Sequence, residues 1–258
     1  MQPEQDETAF EWIRAGRDEQ KAPRNSYLLS AEWPGVLVSH LMPPAFEAYA
    51  RVLHRVDAYY ENIDNPLSAS EIAILKIPPC EPLKSFIEKR RAGGQGMRVR
   101  WKELATLLNV PFASEISGAW YRKKLEEGCW SRFLTPGRVW PIGEECTELI
   151  SNLSLFAEGR QCFFRFPDIA FFGKAKPPIF KGSVGDVNDF LKAGAYSCGF
   201  EHWWPSDRAW CVCSDYDLGV TVVGGSRKLI SALLASAVLE CIEVKSRTRV
   251  DPSAPMPS

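Results

Sequence analysis

The spacing of hydrophobic and polar residues is clearest between Phe200 and Leu234, FEHWWPSDRAWCVCSDYDLGVTVVGGSRKLISALL. Within it RAWCVCSDYD alternates. Ala209, Cys211 and Cys213 fall on one side and Trp210, Val212 and Ser214 on the other, the two-residue period of a strand. Both sides carry apolar groups, so this strand is expected to be central in its sheet. DLGVTVVGG predicts a second strand, reached through Tyr216 and Asp217 and broken by Gly224 and Gly225. Ser226 stands where it can N-cap a helix, SRKLISALLAS, that buries Leu229, Ile230, Leu233 and Leu234.

The rest of the chain changes period several times. Residues 1–25 are mostly polar, with Phe10 and Ile13 able to dock a short helix and KAPRNS as a linker. YLLS and GVLVSHL read as short strands bracketed by Pro34-Gly35 and Pro43-Pro44. Pro44 then predicts a helix start, because Phe46, Tyr49, Ala50 and Leu53 share one face. YENIDNPLSASE reads as a loop and EIAILKI as a short apolar piece stopped by proline. RVRWKELATLLN places Trp101, Leu104, Ala105 and Leu108 on a helical stripe that Asn109 and Pro111 end. Residues 112–141 carry Trp120, Trp130 and Trp140 without a clear period. Ile142, Cys146, Leu149, Ile150 and Leu153 form the best helical stripe, with Glu144 and Glu145 at its positive end. QCFFRFPDIAFFG predicts a strand pair turning at Pro167-Asp168, PPIFKGSV a further strand, and VNDFLKAG one or two helical turns ended by Gly194.

These elements predict an α+β fold with a mostly antiparallel sheet and helices packed on it. The expected organisation is a polar N-terminal arm over 1–25, one domain over 26–250 and a disordered tail over 251–258, with two lobes meeting near residue 140 as the alternative. With 45% hydrophobic and 12% aromatic residues, the 258-residue chain can fill a sizeable core. A net charge of -1 gives no general attraction to nucleic acid or to an anionic membrane. No apolar run is long enough to span a bilayer and no signal-peptide pattern opens the chain, so a cytoplasmic location is expected. The eight scattered cysteines fit reduced, buried thiols.

Several groups could carry chemistry. Gly224, Gly225, Ser226 and Arg227, followed by Lys228, could bind an anion at a helix start, or could form a plain strand-to-helix turn. Cys198, His202, Cys211 and Cys213 are candidate metal ligands, but C-x3-H-x8-C-x-C does not match zinc-knuckle spacing, so no metal and no cofactor is called for. Asp215 and Asp217 could pair as acid and base, with His202 a further catalytic candidate, yet turns are also the ordinary home of Asp. Trp203, Trp204, Asp207, Arg208 and Trp210 concentrate the residue types that anchor protein interfaces; against that, tryptophan is highly buried on average. Lys84, Lys89, Arg90, Arg91, Arg98 and Arg100 surround AGGQG as either an anion-binding arm or a solvated helix end and loop. No G-x-S-x-G motif is present.

The stretch Trp203 to Val212, WWPSDRAWCV, with Asp217 to Ser226, Met42 to Arg51 and Val99 to Ala105, resembles a group of uncharacterised bacterial proteins common in actinomycetes. The resemblance runs from about residue 36 onward and is weaker over 111–135. It implies a bacterial cytoplasmic origin and one co-inherited fold, and brings no activity, cofactor or catalytic residue with it. Two function classes follow. One is a non-enzymatic interaction protein, immunity- or adaptor-like, that binds a protein partner through an exposed aromatic-rich face. The other is a small-molecule or phosphate-binding protein, with hydrolase or transferase activity as an option, using the Gly224–Lys228 turn with Asp215 and Asp217 in a concave pocket.

Overall fold

Three consecutive antiparallel strands, β8 (His202–Pro205), β9 (Cys211–Asp215) and β10 (Val220–Gly225), form the middle of an eight-stranded sheet. Beyond β8 lie β6 (Cys162–Arg165), β7 (Ile179–Gly182) and β1 (Gln2–Glu4). Beyond β10 lie β2 (Ala48–Leu53) and β11 (Cys241–Val244). Every pairing is antiparallel. The fold is therefore α+β, and the alternating RAWCVCSD segment sits near the sheet's centre. The computed structural model describes residues 2–4, 8–17, 35–65, 68–75, 81–114, 116, 134–135, 141, 143–167, 178–192, 199–215 and 220–251. The expectations placed on residues 18–34, on Trp120, Trp130 and Trp140, on Ile142, Asp168, Gly194, Cys198, Tyr216 and Asp217, and on the chain after Asp251 lie outside these residues.

The chain divides into two compact units. The first comprises the described residues within 1–54 and 139–251, the second those within 55–138. In the first unit the two sheet faces bury separate apolar cores, as the two-sided pattern of β9 requires. On one face α7 (Glu144–Ala157), α8 (Asp186–Lys192) and α9 (Arg227–Leu234) bring Leu149, Leu153, Val187, Ile230 and Leu233 against Val212, Trp203 and Trp210. On the other, α1 (Thr8–Gly16) and α2 (Val38–Leu41) bring Phe10, Ile13, Val38 and Leu41 against Trp204, Cys211, Cys213 and Val222. The stretch read as a polar arm thus supplies β1 at the sheet edge and α1 on its face.

Two sequence-based elements are corrected here. The helix predicted from Phe46 to Leu53 is strand β2, buried along its whole length. Ala48, Ala50 and Val52 join one core while Tyr49 joins the other. A strand buried on both faces has apolar residues at every spacing, so it also satisfies the helical one. The strand predicted in GVLVSHL is instead the single helical turn α2, preceded by an isolated bridge between Leu37 and Arg249. Asp251, assigned to the tail, is fully buried; it accepts the Val36 N–H at 2.9 Å and pairs with Arg249 at 2.6 Å.

In the second unit, β3 (Val56–Ala58) lies between β4 (Arg98–Val99) and β5 (Leu134–Thr135). The helices α3 (Glu61–Asp64), α4 (Ala69–Leu75), α5 (Glu81–Ala92) and α6 (Trp101–Leu108) belong to the same unit. EIAILKI is mostly α4. Helix α6 buries Trp101, Leu104 and Ala105 and ends in a left-handed Asn109 (φ 51°), the residue type that tolerates that conformation best after glycine. The basic glycine-rich loop is tied down from within. The Tyr60 hydroxyl lies 2.7 Å from the Gln95 carbonyl, Arg90 reaches the Gly96 and Arg98 carbonyls and Glu103, and Arg91 pairs with Asp64 at 2.7 Å.

Candidate functional site

Antiparallel register places a row of unusual side chains across one sheet face. Arg165 of β6 is opposite His202 of β8, which is opposite Cys213 of β9; the row continues through Val222 to Arg51. Opposed residues share a face, and here it is the face covered by α1 and α2. Ion pairing keeps Arg165 in this apolar layer: its guanidinium lies 2.5 Å from Glu201. His202 is 1% exposed. Its Nε2 is 2.8 Å from an Arg17 guanidinium nitrogen and 3.0 Å from the Leu41 carbonyl, while Nδ1 is 3.6 Å from Glu201. Below the cluster lies the Phe10 ring, with Arg165 over it at 4.4 Å, Arg17 at 5.4 Å and the His202 ring edge-on at 5.2 Å. Cationic groups over a ring face gain from its quadrupole.

The electrostatics follow from that packing. Burial alone would raise the Glu201 carboxyl, but the charges of His202, Arg165 and Arg17 outweigh it and hold it down to about 2. Burial, then the Arg17 charge, push the His202 imidazole below its ordinary value against the pull of Glu201. The resting cluster is thus a neutral imidazole between a guanidinium and a carboxylate. Sequence reasoning singled out His202 and missed Arg17, Arg165 and Glu201. For two of them a signal exists: an Arg inside CFFRF and a Glu beside His in FEHWW are charges within apolar strand sequence, which must be paired. Arg17, in a polar stretch, carries no such mark.

Cys211 and Cys213 are buried, burial raises both thiols well above their ordinary range, and Cys198 lies outside the described residues. Among the described residues no group of three metal-binding side chains comes together. Of the proposed acid–base pair, Asp215 ends β9 opposite Val220, and Asp217 lies outside the described residues.

The Gly224–Arg227 turn is filled by the protein's own groups. Ser226 caps α9, its hydroxyl accepting the Leu229 N–H. The Arg227 N–H donates to Glu47 at 2.9 Å, and the Arg227 guanidinium pairs with Glu243. A carboxylate therefore already sits where an anion was expected. The glycines serve packing. A Cβ on Gly224 would lie 2.5 Å from the Phe46 ring, and one on Gly225 would lie 2.8 Å from Leu229.

The aromatic-rich face is also corrected. Trp203, Trp204 and Trp210 are 0%, 1% and 0% exposed, so they form the two cores and no surface. Opposite sides of β8 send Trp203 to one core and Trp204 to the other, where Phe163 stacks on it at 5.7 Å. What remains outside is the turn joining β8 to β9. Arg208 donates its N–H to the Pro205 carbonyl at 2.9 Å, Asp207 accepts the Ala209 N–H at 3.1 Å, and Arg160 holds Asp207 at 2.9 Å. Arg208 is exposed with φ 60°, and its guanidinium lies 5.4 Å over the half-buried Trp12 ring of α1. No helix among the described residues is long and apolar enough to cross a membrane. Comparison of the chain with protein-family models, with curated proteins and with solved structures returns no match.

Proposed function

We propose that this chain is a protein-interaction module of immunity or adaptor type, acting in a bacterial cytoplasm, and that its contact surface is the β8–β9 turn with Trp12 beneath it. The observation that carries this reading is the backbone of Arg208. A non-glycine residue at φ 60° costs about 1–3 kcal/mol and persists where its surroundings over-determine it, a pattern that gathers at binding sites. Here Asp207, Arg160 and the Pro205 carbonyl impose the conformation. The result is an exposed Arg held over a Trp, a pairing of the two residue types most enriched at interface hot spots. Free thiols at Cys146, Cys162, Cys211, Cys213 and Cys241 fit a reducing compartment. The small-molecule alternative loses its anchor, because Glu47 and Glu243 take the Arg227 amide and guanidinium.

The test is capture of a partner from the native host with the tagged chain, followed by titration of the identified partner against Arg208→Ala. Truncating a hot-spot arginine should weaken that binding by about 2 kcal/mol or more with an unchanged melting temperature. Equal binding by wild type and variant would remove the turn from the interface.

A further inference from the structure

We propose that His202 is a proton-operated latch for the last turn of α1: proton uptake at its Nε2 takes away the acceptor that holds Arg17 and frees the segment from Arg14 to Arg17 from the sheet face. The argument is one of donors and acceptors. Nε2 of His202 faces two groups at once, a guanidinium nitrogen of Arg17 that can only donate and the Leu41 carbonyl that can only accept. A neutral ring satisfies one of them. With the proton on Nδ1, toward Glu201, Nε2 accepts from Arg17. A protonated ring has N–H groups on both nitrogens, so Nε2 donates to Leu41, Nδ1 faces the Glu201 carboxylate at 3.6 Å as an ion pair, and Arg17 meets a donor of like charge. The imidazolium keeps its place on Glu201 while the guanidinium leaves.

The surroundings channel the change into α1. His202 is fixed on β8, Glu201 is held by Arg165 of β6, and Cys213 and Cys211 of β9 are protonated thiols. Arg14 and Arg17 of α1 are the remaining charges over Phe10, and Arg17 is the one that touches the imidazole. On α2, His40 is turned away and accepts the Leu37 N–H. The apolar anchors Phe10 and Ile13 hold the helix body, so opening starts at its C-terminal end, where the Arg17 N–H closes on Ile13. The sign follows from linkage. The latched state lowers the imidazole, and departure of Arg17 removes a charge that lowers it, so the open state binds the proton more readily and acid favours opening. The latch stands whatever the β8–β9 turn binds.

Amide exchange of the intact chain tests it, with rates corrected for the intrinsic pH dependence of exchange. Exchange at Arg14–Arg17 should rise as pH falls, by up to about tenfold per pH unit for one linked proton, while β9 and β10 stay protected. In Arg17→Met the segment should exchange fast at every pH and the dependence should vanish. Exchange that ignores pH in the wild type, or a dependence that survives Arg17→Met, overturns the latch. A second readout needs no altered histidine. The imidazole of His202, followed by NMR, should titrate at a higher pH in Arg17→Met than in the wild type, since a repelling cation is gone; an unmoved midpoint also overturns it.

Discussion

At Gly224 a single missing methyl decides how closely β10 can approach the residues around it. Its Cβ would meet the Phe46 ring at 2.5 Å, the Met42 sulfur at 2.9 Å and the Tyr49 ring at 3.0 Å, and all three neighbours belong to the packed face. Gly224→Ala should therefore destabilise the protein by about 1–3 kcal/mol, the usual cost of overpacking. At Gly96, where nothing lies within 4 Å of a Cβ, the same change should stay within about 0.5 kcal/mol. Urea unfolding midpoints of the two variants separate a packing glycine from a permissive one. This is also where sequence reading is weakest. Two adjacent glycines before a serine read equally well as a phosphate cradle or as room for a ring, because the neighbour that fills the space, Phe46, is 178 positions away. The tryptophans pose the converse problem: type marks Trp203 and Trp204 as anchors, but only register shows that each enters a core.

Helix α9 and the hairpin before it were legible for a physical reason: their signals are local. Period two in RAWCVCSD, period 3.6 in RKLISALL and a serine between are all readable within one window. The cap makes a local prediction. Ser226 satisfies the Leu229 N–H, so Ser226→Ala should cost about 1 kcal/mol, whereas Ser226→Asp, which keeps an acceptor at the positive helix end, should be close to neutral. Thermal unfolding of the two variants checks the difference. β2 was not legible for an equally physical reason. The two cores bury both of its faces, so the alternation that marks a half-buried strand is absent, and a buried Arg51 breaks the apolar run without marking a turn. The grouping of the candidate cluster was hidden for another reason, since Arg165 and His202 are neighbours only through a strand pairing.

Over the whole molecule the buried charges turn packing into pH dependence, and the sign can be worked out group by group. The Glu201 carboxyl is held down to about 2 in the folded chain against an ordinary value of 4.5. As pH falls below 4.5 the unfolded chain takes up this proton first, so the stability that Glu201 contributes is complete above that value and is lost progressively toward 2. The His202 contribution lies in a separate and higher window, beginning near 6.5, because its folded value is also lowered and the unfolded chain again binds the proton first. Both groups therefore make acid destabilising, in two steps. Glu201→Gln removes the lower one. It leaves Arg165 without a carboxylate at every pH, so the variant should be less stable than the wild type at neutral pH, with the gap closing between 4.5 and 2 as the wild-type carboxylate protonates. Urea unfolding free energies of the two proteins, measured across that range, give the gap directly. A gap that stays constant with pH would mean that Glu201 has the same proton affinity folded and unfolded. The Arg165–Glu201 pair would then be solvent-screened, in conflict with its place under α1.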